Sequence, residues 1–187
     1  MTTAVSSRQR NKTYDMVYIS MFTIIIAISS WISIPMTVPF TLQTFGVFAT
    51  VGILGGRRGT MSVLLYILLG AVGVPVFAGF SGGLGVLTGN TGGYIVGFLF
   101  SALVMWGMEK VFGKSRLVLA ISMVLGLLAC YAVGTVWFMA VYAQGTGSVA
   151  LVTVLGWCVI PFILPDMAKI AVALIISKRL ARVIKLK

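Results

Sequence analysis

LVLAISMVLGLLACYAVGTVWFMAVYAQGTGSVALVTVLGWCVIPFILPDMAKIAVALIIS, residues Leu117 to Ser177, is apolar almost throughout, and its only charges are Asp166 and Lys169. Apolar runs this long read as membrane-spanning helix, at about 20 residues per crossing. An ionised side chain in hydrocarbon costs about 2.5–3.5 kcal/mol on insertion scales, so such a pair persists where it faces a partner or a polar ligand. The spacing sets Asp166 and Lys169 one helical turn apart, and the chemistry is expected there. A plainer reading stays open, in which Asp166, following Pro165, starts a helix at its positive end and takes an i,i+3 bond from Lys169.

Outside this stretch the composition points the same way. The 187 residues are 59% hydrophobic and 9% charged, where soluble domains carry about 25% charge. The mean hydropathy is +1.10. A net charge of +11 could suggest nucleic acid. Apart from Lys169, however, every basic residue falls in a cluster at the end of an apolar segment: Arg8/Arg10/Lys12, Arg57/Arg58, Lys110/Lys114/Arg116, and Lys178/Arg179/Arg182/Lys185/Lys187. That is the positive-inside pattern, and it implies membrane lipid rather than nucleic acid as partner. Histidine is absent, and Cys130 and Cys158 lie in apolar segments without CxxC spacing, so no zinc, haem or cysteine–histidine chemistry is supported. The basic start and the apolar run from Met16 are followed by no small-residue cleavage site and read as a retained first helix.

With the basic clusters cytoplasmic, the expected fold is a single all-α integral membrane domain over residues 1–187. It has six transmembrane helices and both termini cytoplasmic, with a basic N-terminus at 1–14 and a basic tail at 179–187. The first span covers Met16 to Ile34 and exits through Pro35 and Pro39, which enforce an extended loop. The second, Thr41 to Gly55, covers only about 22 Å of a hydrocarbon layer about 30 Å thick, so part of the preceding loop should dip in under protein cover. The third runs from Thr60 to Val74. A glycine-rich outer segment, Gly79 to Tyr94, leads into a fourth span ending near Glu109, and the fifth is Leu117 to Tyr142. Ser148 to Ser177 is too long for one untilted crossing, and an interior proline costs about 3 kcal/mol. A split is therefore expected: an outer interfacial or re-entrant segment from Ser148 to Ile160, then a sixth span from near Pro165. Asp166 would lie about 18 Å above Lys178, in the outer half of the membrane.

The glycine-rich segment matches neither GxxxxGK[ST] nor a dinucleotide fingerprint. Its Asn90 offers two donors and an acceptor, and Gln43 at the start of the short second span poses the same question, because an unpaired amide in hydrocarbon is costly. Trp31, Phe40, Phe77, Phe80 and Tyr94 could wall an apolar pocket beside them, or anchor helices at the interface. Gly92, Gly93 and Gly97 could equally serve close helix packing. In the first span Ser20, Thr23 and Ala27 would let another helix, internal or a partner's, pack closely.

Ile34-Pro-Met-Thr-Val-Pro-Phe-Thr-Leu-Gln43, Gly89-Asn-Thr-Gly-Gly-Tyr94 with Gly97-Phe98, and Pro161-Phe-Ile-Leu-Pro-Asp-Met-Ala-Lys169 together resemble the BioY family, the biotin-binding S components of energy-coupling-factor transporters. The likeness covers nearly the whole chain. It implies a six-helix, multi-pass protein of the bacterial cell membrane that binds biotin as transported ligand in a cavity open to the outside. It also implies docking on a transmembrane coupling protein with two ATPases. By motif, Asn90, Asp166 and Lys169 correspond to the polar biotin-binding positions, joined by Gln43 and Tyr94. Ser20, Thr23 and Ala27 stand on the helix that docks, with less alanine than is common there. No cofactor, metal or catalytic residue is implied. The rival readings are an S component for another vitamin, an integral-membrane lipid acyltransferase, and a proton-coupled carrier using Asp166.

Overall fold

Helix α1, Thr2–Trp31, runs through the basic start and the first apolar segment with no proline or glycine to interrupt it. The computed structural model describes residues 2–36, 38–147 and 149–183, with side chains from 12 onward except 146 and 181–183. The expectations that fall on Thr37, Ser148, Lys185 and Lys187, and on the side chains of Arg8, Arg10 and Arg182, lie outside these residues. α1 ends before the expected Ile34 because the chain turns there into a hairpin. Strand β1, Ser33–Ile34, pairs antiparallel with β2, Phe40–Thr41, in the register Ser33 with Thr41 and Ile34 with Phe40. Pro35 and Pro39 lie between the two strands, where neither needs to donate to the ladder. The hairpin is folded onto the bundle, burying Val38 and Thr41.

Helix α2, Gln43–Leu54, and helix α3, Gly56–Ala71, are separated by Gly55 alone. Its φ of 81° is open to glycine and strained for other residues, so one residue makes the reversal. α3 consequently starts earlier than the expected Thr60 and carries Arg57 and Arg58 in its first turn. After it come a 3-10 turn, Ala78–Phe80, and the short helix α4, Leu84–Thr88, within the glycine-rich segment.

Helix α5, Gly92–Phe112, packs along helix α6, Arg116–Thr146, which Ser115 caps by accepting the Val118 N–H at 3.2 Å. The two backbones approach so closely that a Cβ on Gly93 would come within 2.1 Å of the Trp137 Cβ, and one on Gly97 within 3.0 Å of the Cys130 carbonyl oxygen. Glycine at these positions therefore serves helix packing.

The outer segment is helix α7, Leu151–Cys158, and the last helix is α8, Ile160–Val183. This corrects the expected start near Pro165: the chain breaks at Val159, with φ −126° and ψ −56°, and Pro165 lies inside the helix. Pro161 falls in the first turn, where its missing N–H would have no helical partner anyway, and Pro165 forgoes only the bond to the Pro161 carbonyl. Two prolines near a helix start therefore do not force the split.

Among the described residues four stretches are long and apolar enough to cross a membrane: Lys12–Trp31, Gly92–Phe112, Arg116–Gly145 and Ile160–Leu180. At 12 and 16 residues α2 and α3 fall short of that length. The outward faces are apolar as well: Ile24 and Ile28 on α1, Leu128 and Val136 on α6, and Leu164 and Ile175 on α8 are all exposed. Helices apolar on both faces at a surface are those of a membrane protein. α2 is packed against α8, α3 against α1 and α5, and Ile26, Phe48, Tyr66, Phe77, Met123 and Phe138 fill the core.

Candidate functional site

Starting α8 at Ile160 sets Asp166 well past the first turn, so it does not start the helix at its positive end, while the i,i+3 bond from Lys169 that the plainer reading also expected is present. Asp166 and Lys169 are 2% and 7% exposed. Lys169 Nζ donates to Asp166 Oδ1 at 2.8 Å and to the Thr41 carbonyl at 2.7 Å, and it lies 4.2 Å from the centre of the Phe40 ring. Tyr131, on α6, donates to Asp166 Oδ2 at 2.6 Å. The pair is thus held from three directions: its own helix, the hairpin before α2, and α6.

Asp166, Lys169, Tyr131 and Thr41 all line a cavity of about 190 Å³. That is smaller than the roughly 300–1,000 Å³ usual for ligand sites, and it favours a compact ligand. Gln43 lines it from the start of α2, its Nε2 donating to Tyr66 Oη at 2.9 Å. Tyr94 lines it from α5, with its hydroxyl 3.3 Å from Thr135 Oγ1. Val38, Phe77, Phe98 and Phe162 supply apolar surface. The remaining hydrogen-bond capacity can be counted. Each Asp166 oxygen has one bond and can accept another, and Lys169 has used two of its three N–H donors. An amide-like group with both donors and an acceptor could therefore bind here without displacing the existing bonds.

Of the residues singled out from sequence, Asp166, Lys169, Gln43 and Tyr94 meet around this cavity. Asn90 does not line it: its residue is exposed, next to Thr91, which does. Phe40 and Phe77 belong to the site's surroundings, whereas Trp31 is stacked on Phe80 at 5.0 Å and donates to the Pro75 carbonyl at 2.9 Å, outside the cavity. Ser20 is exposed on α1, but Thr23 and Ala27 are buried. Thr23 Oγ1 donates to the carbonyls of Ile19 at 2.8 Å and Ser62 at 3.1 Å, so at this position the close helix packing is with α3 of the same chain. Tyr131 and Thr41 were missed. A tyrosine hydroxyl in the middle of an apolar helix needs a partner, and that need was the available signal for Tyr131. No cluster of three or more His, Cys, Asp or Glu suited to a metal occurs among the described residues.

The fold and the site together define a multi-pass helical membrane protein with a cavity beside a buried ion pair. The BioY family matches residues 1–186, and the chain belongs to that family. It is 42% identical over 162 residues to the biotin transporter BioY of Thermotoga maritima, covering 86% of this chain and 92% of that one. It is 35% identical over 176 residues to the biotin transporter BioY2 of Lactococcus lactis subsp. cremoris, covering 93% of each. A crystal structure of the S-component for biotin from an ECF-type ABC transporter superposes with a TM-score of 0.82 at 27% identity, covering 92% of this chain and 93% of that one.

Proposed function

We propose that the chain is the biotin-binding S component of an energy-coupling-factor transporter, a subunit that binds and translocates its ligand without covalent chemistry. The observation that carries the reading is the buried Asp166–Lys169 pair at 2.8 Å on the wall of a cavity whose lining is otherwise uncharged, mostly apolar and aromatic side chains with Gln43 and a few hydroxyls. A ureido ring presents two N–H donors and one carbonyl. Asp166 has acceptor capacity for an N–H, the third Lys169 proton suits the carbonyl, and the fused ring and aliphatic chain suit Phe77, Phe98 and Val38. Gln43 and Tyr94 complete the polar contacts, and Asn90 joins them from the loop edge once ligand is bound. No cofactor takes part.

In this reading the whole chain is one domain, with α1, α2, α3, α5, α6 and α8 as six spans and α7 as an outer re-entrant segment. Both termini and the basic clusters are cytoplasmic, and the site lies toward the outside. The energy comes from a transmembrane coupling protein with two ATPases. Of the three docking residues, Ser20 is open to that partner, with Thr23 and Ala27 holding α1 against α3 behind it. Calorimetric titration of the detergent-purified chain with biotin and a panel of other vitamins tests the ligand. Saturable heat with biotin alone is expected; binding of a different vitamin in its place would reassign the substrate.

A further inference from the structure

A larger cavity, about 540 Å³, lies at the opposite end of the bundle, between the α2–α3 reversal, the α5–α6 turn and the last part of α8. Its rim carries Arg58, Lys114, Arg116 and Lys178 against a single acid, Glu109. The chain has three Asp and Glu residues in all. Each is in an ion pair, Asp15 with Arg58, Glu109 with Lys114 and Asp166 with Lys169. No Asp or Glu is left over for Arg116 and Lys178, which are exposed and form no ion pair among the described residues, so the mouth of the cavity carries excess positive charge. The N-terminus of the long helix α6, where orphan N–H groups favour an anion, opens on the same space. Ser177 also lines it, 1% exposed, with its unpartnered hydroxyl packed against Gly52 of α2. Apart from Ser115 and Ser122 the rest of the wall is apolar, with Val51, Leu54, Met105, Val118 and Leu174 among its residues.

We propose that this cavity binds a single anionic phospholipid, its phosphate held by Arg116 and Lys178 at the mouth of the α6 N-terminus and an acyl chain laid along the apolar wall. Free phosphate shares the headgroup chemistry but leaves that wall in contact with water, whereas an amphiphile covers both parts. Basic pockets between membrane helices recognise lipid headgroups in this way. The inference rests on the chain being a membrane protein and is independent of which vitamin fills the other cavity.

The test is native mass spectrometry of the full chain purified from nanodiscs of phosphatidylglycerol or of phosphatidylcholine, with and without millimolar inorganic phosphate. The expected result is one retained phosphatidylglycerol per chain, roughly tenfold preferred over phosphatidylcholine and not displaced by phosphate. Arg116→Gln with Lys178→Gln should abolish the preference. Thermal unfolding of the double variant reports separately that the fold survives. Equal retention of the two lipids, a preference untouched by the double variant, or displacement by inorganic phosphate alone would each overturn the proposal.

Discussion

Tyr131 donates its hydroxyl proton to Asp166 Oδ2 at 2.6 Å, on the carboxylate oxygen that Lys169 leaves free. A carboxylate with only 2% exposure is thereby held by two donors from two helices, and it keeps its orientation before any ligand arrives. Tyr131→Phe removes one charge-assisted bond at nearly constant volume. It should lower stability by about 1.5–3 kcal/mol and weaken ligand binding through a less well-fixed Asp166. Thermal unfolding and titration of the variant check this; a variant unchanged in both would mean that the contact contributes nothing.

Asp166→Asn preserves shape, weakens the acceptor and leaves Lys169 without its counter-ion. Loss of a charge-assisted bond of about 1.5–3 kcal/mol corresponds to roughly 10- to 150-fold weaker biotin binding. Lys169→Met keeps the stem but strands a buried carboxylate at a cost of about 3–5 kcal/mol, so its folding yield is measured before its affinity. Asn90→Ala, at an exposed loop position, should leave stability within about 0.5 kcal/mol and reduce affinity less than Asp166→Asn. If both variants of the pair fold and bind like the parent, the pair is structural only.

Substitutions on α1 should separate into two groups. Thr23→Trp and Ala27→Trp force a large ring into sites that are 2% and 4% exposed, and should lower folding yield and ligand affinity together. Ser20→Trp, on the exposed side, should spare affinity of the isolated chain and impair uptake with the coupling module. Impaired uptake at Ser20 with loss of affinity would instead make that side part of the internal fold.

The membrane orientation has a direct readout, because both native cysteines are buried. A cysteine replacing Lys114, whose side chain is 77% exposed, should react only with reagent on the cytoplasmic face. One replacing Val72, 85% exposed at the far end of α3, should react from outside. The reverse pattern would invert the topology.

Hydropathy and the basic clusters were enough to read a helical membrane protein from the chain, because a bilayer requires long apolar runs, whatever the packing between them. The same applies to Asp166 and Lys169: two opposite charges in an apolar run single themselves out by the cost of burying them. Helix boundaries were less legible where one residue's backbone decides them. Gly55 reverses the chain alone, and Val159, not either proline, separates α7 from α8.

What sequence could not supply is distance between elements. Tyr131 lies far from Asp166 along the chain, and Thr41 contributes only a backbone carbonyl, which no side-chain pattern reveals. The inward direction of Thr23 and Ala27, the exposed position of Asn90 and the second cavity are likewise consequences of how the helices rotate against one another. Periodicity reports that a residue lies on a helix face, and only the tertiary packing decides what that face meets.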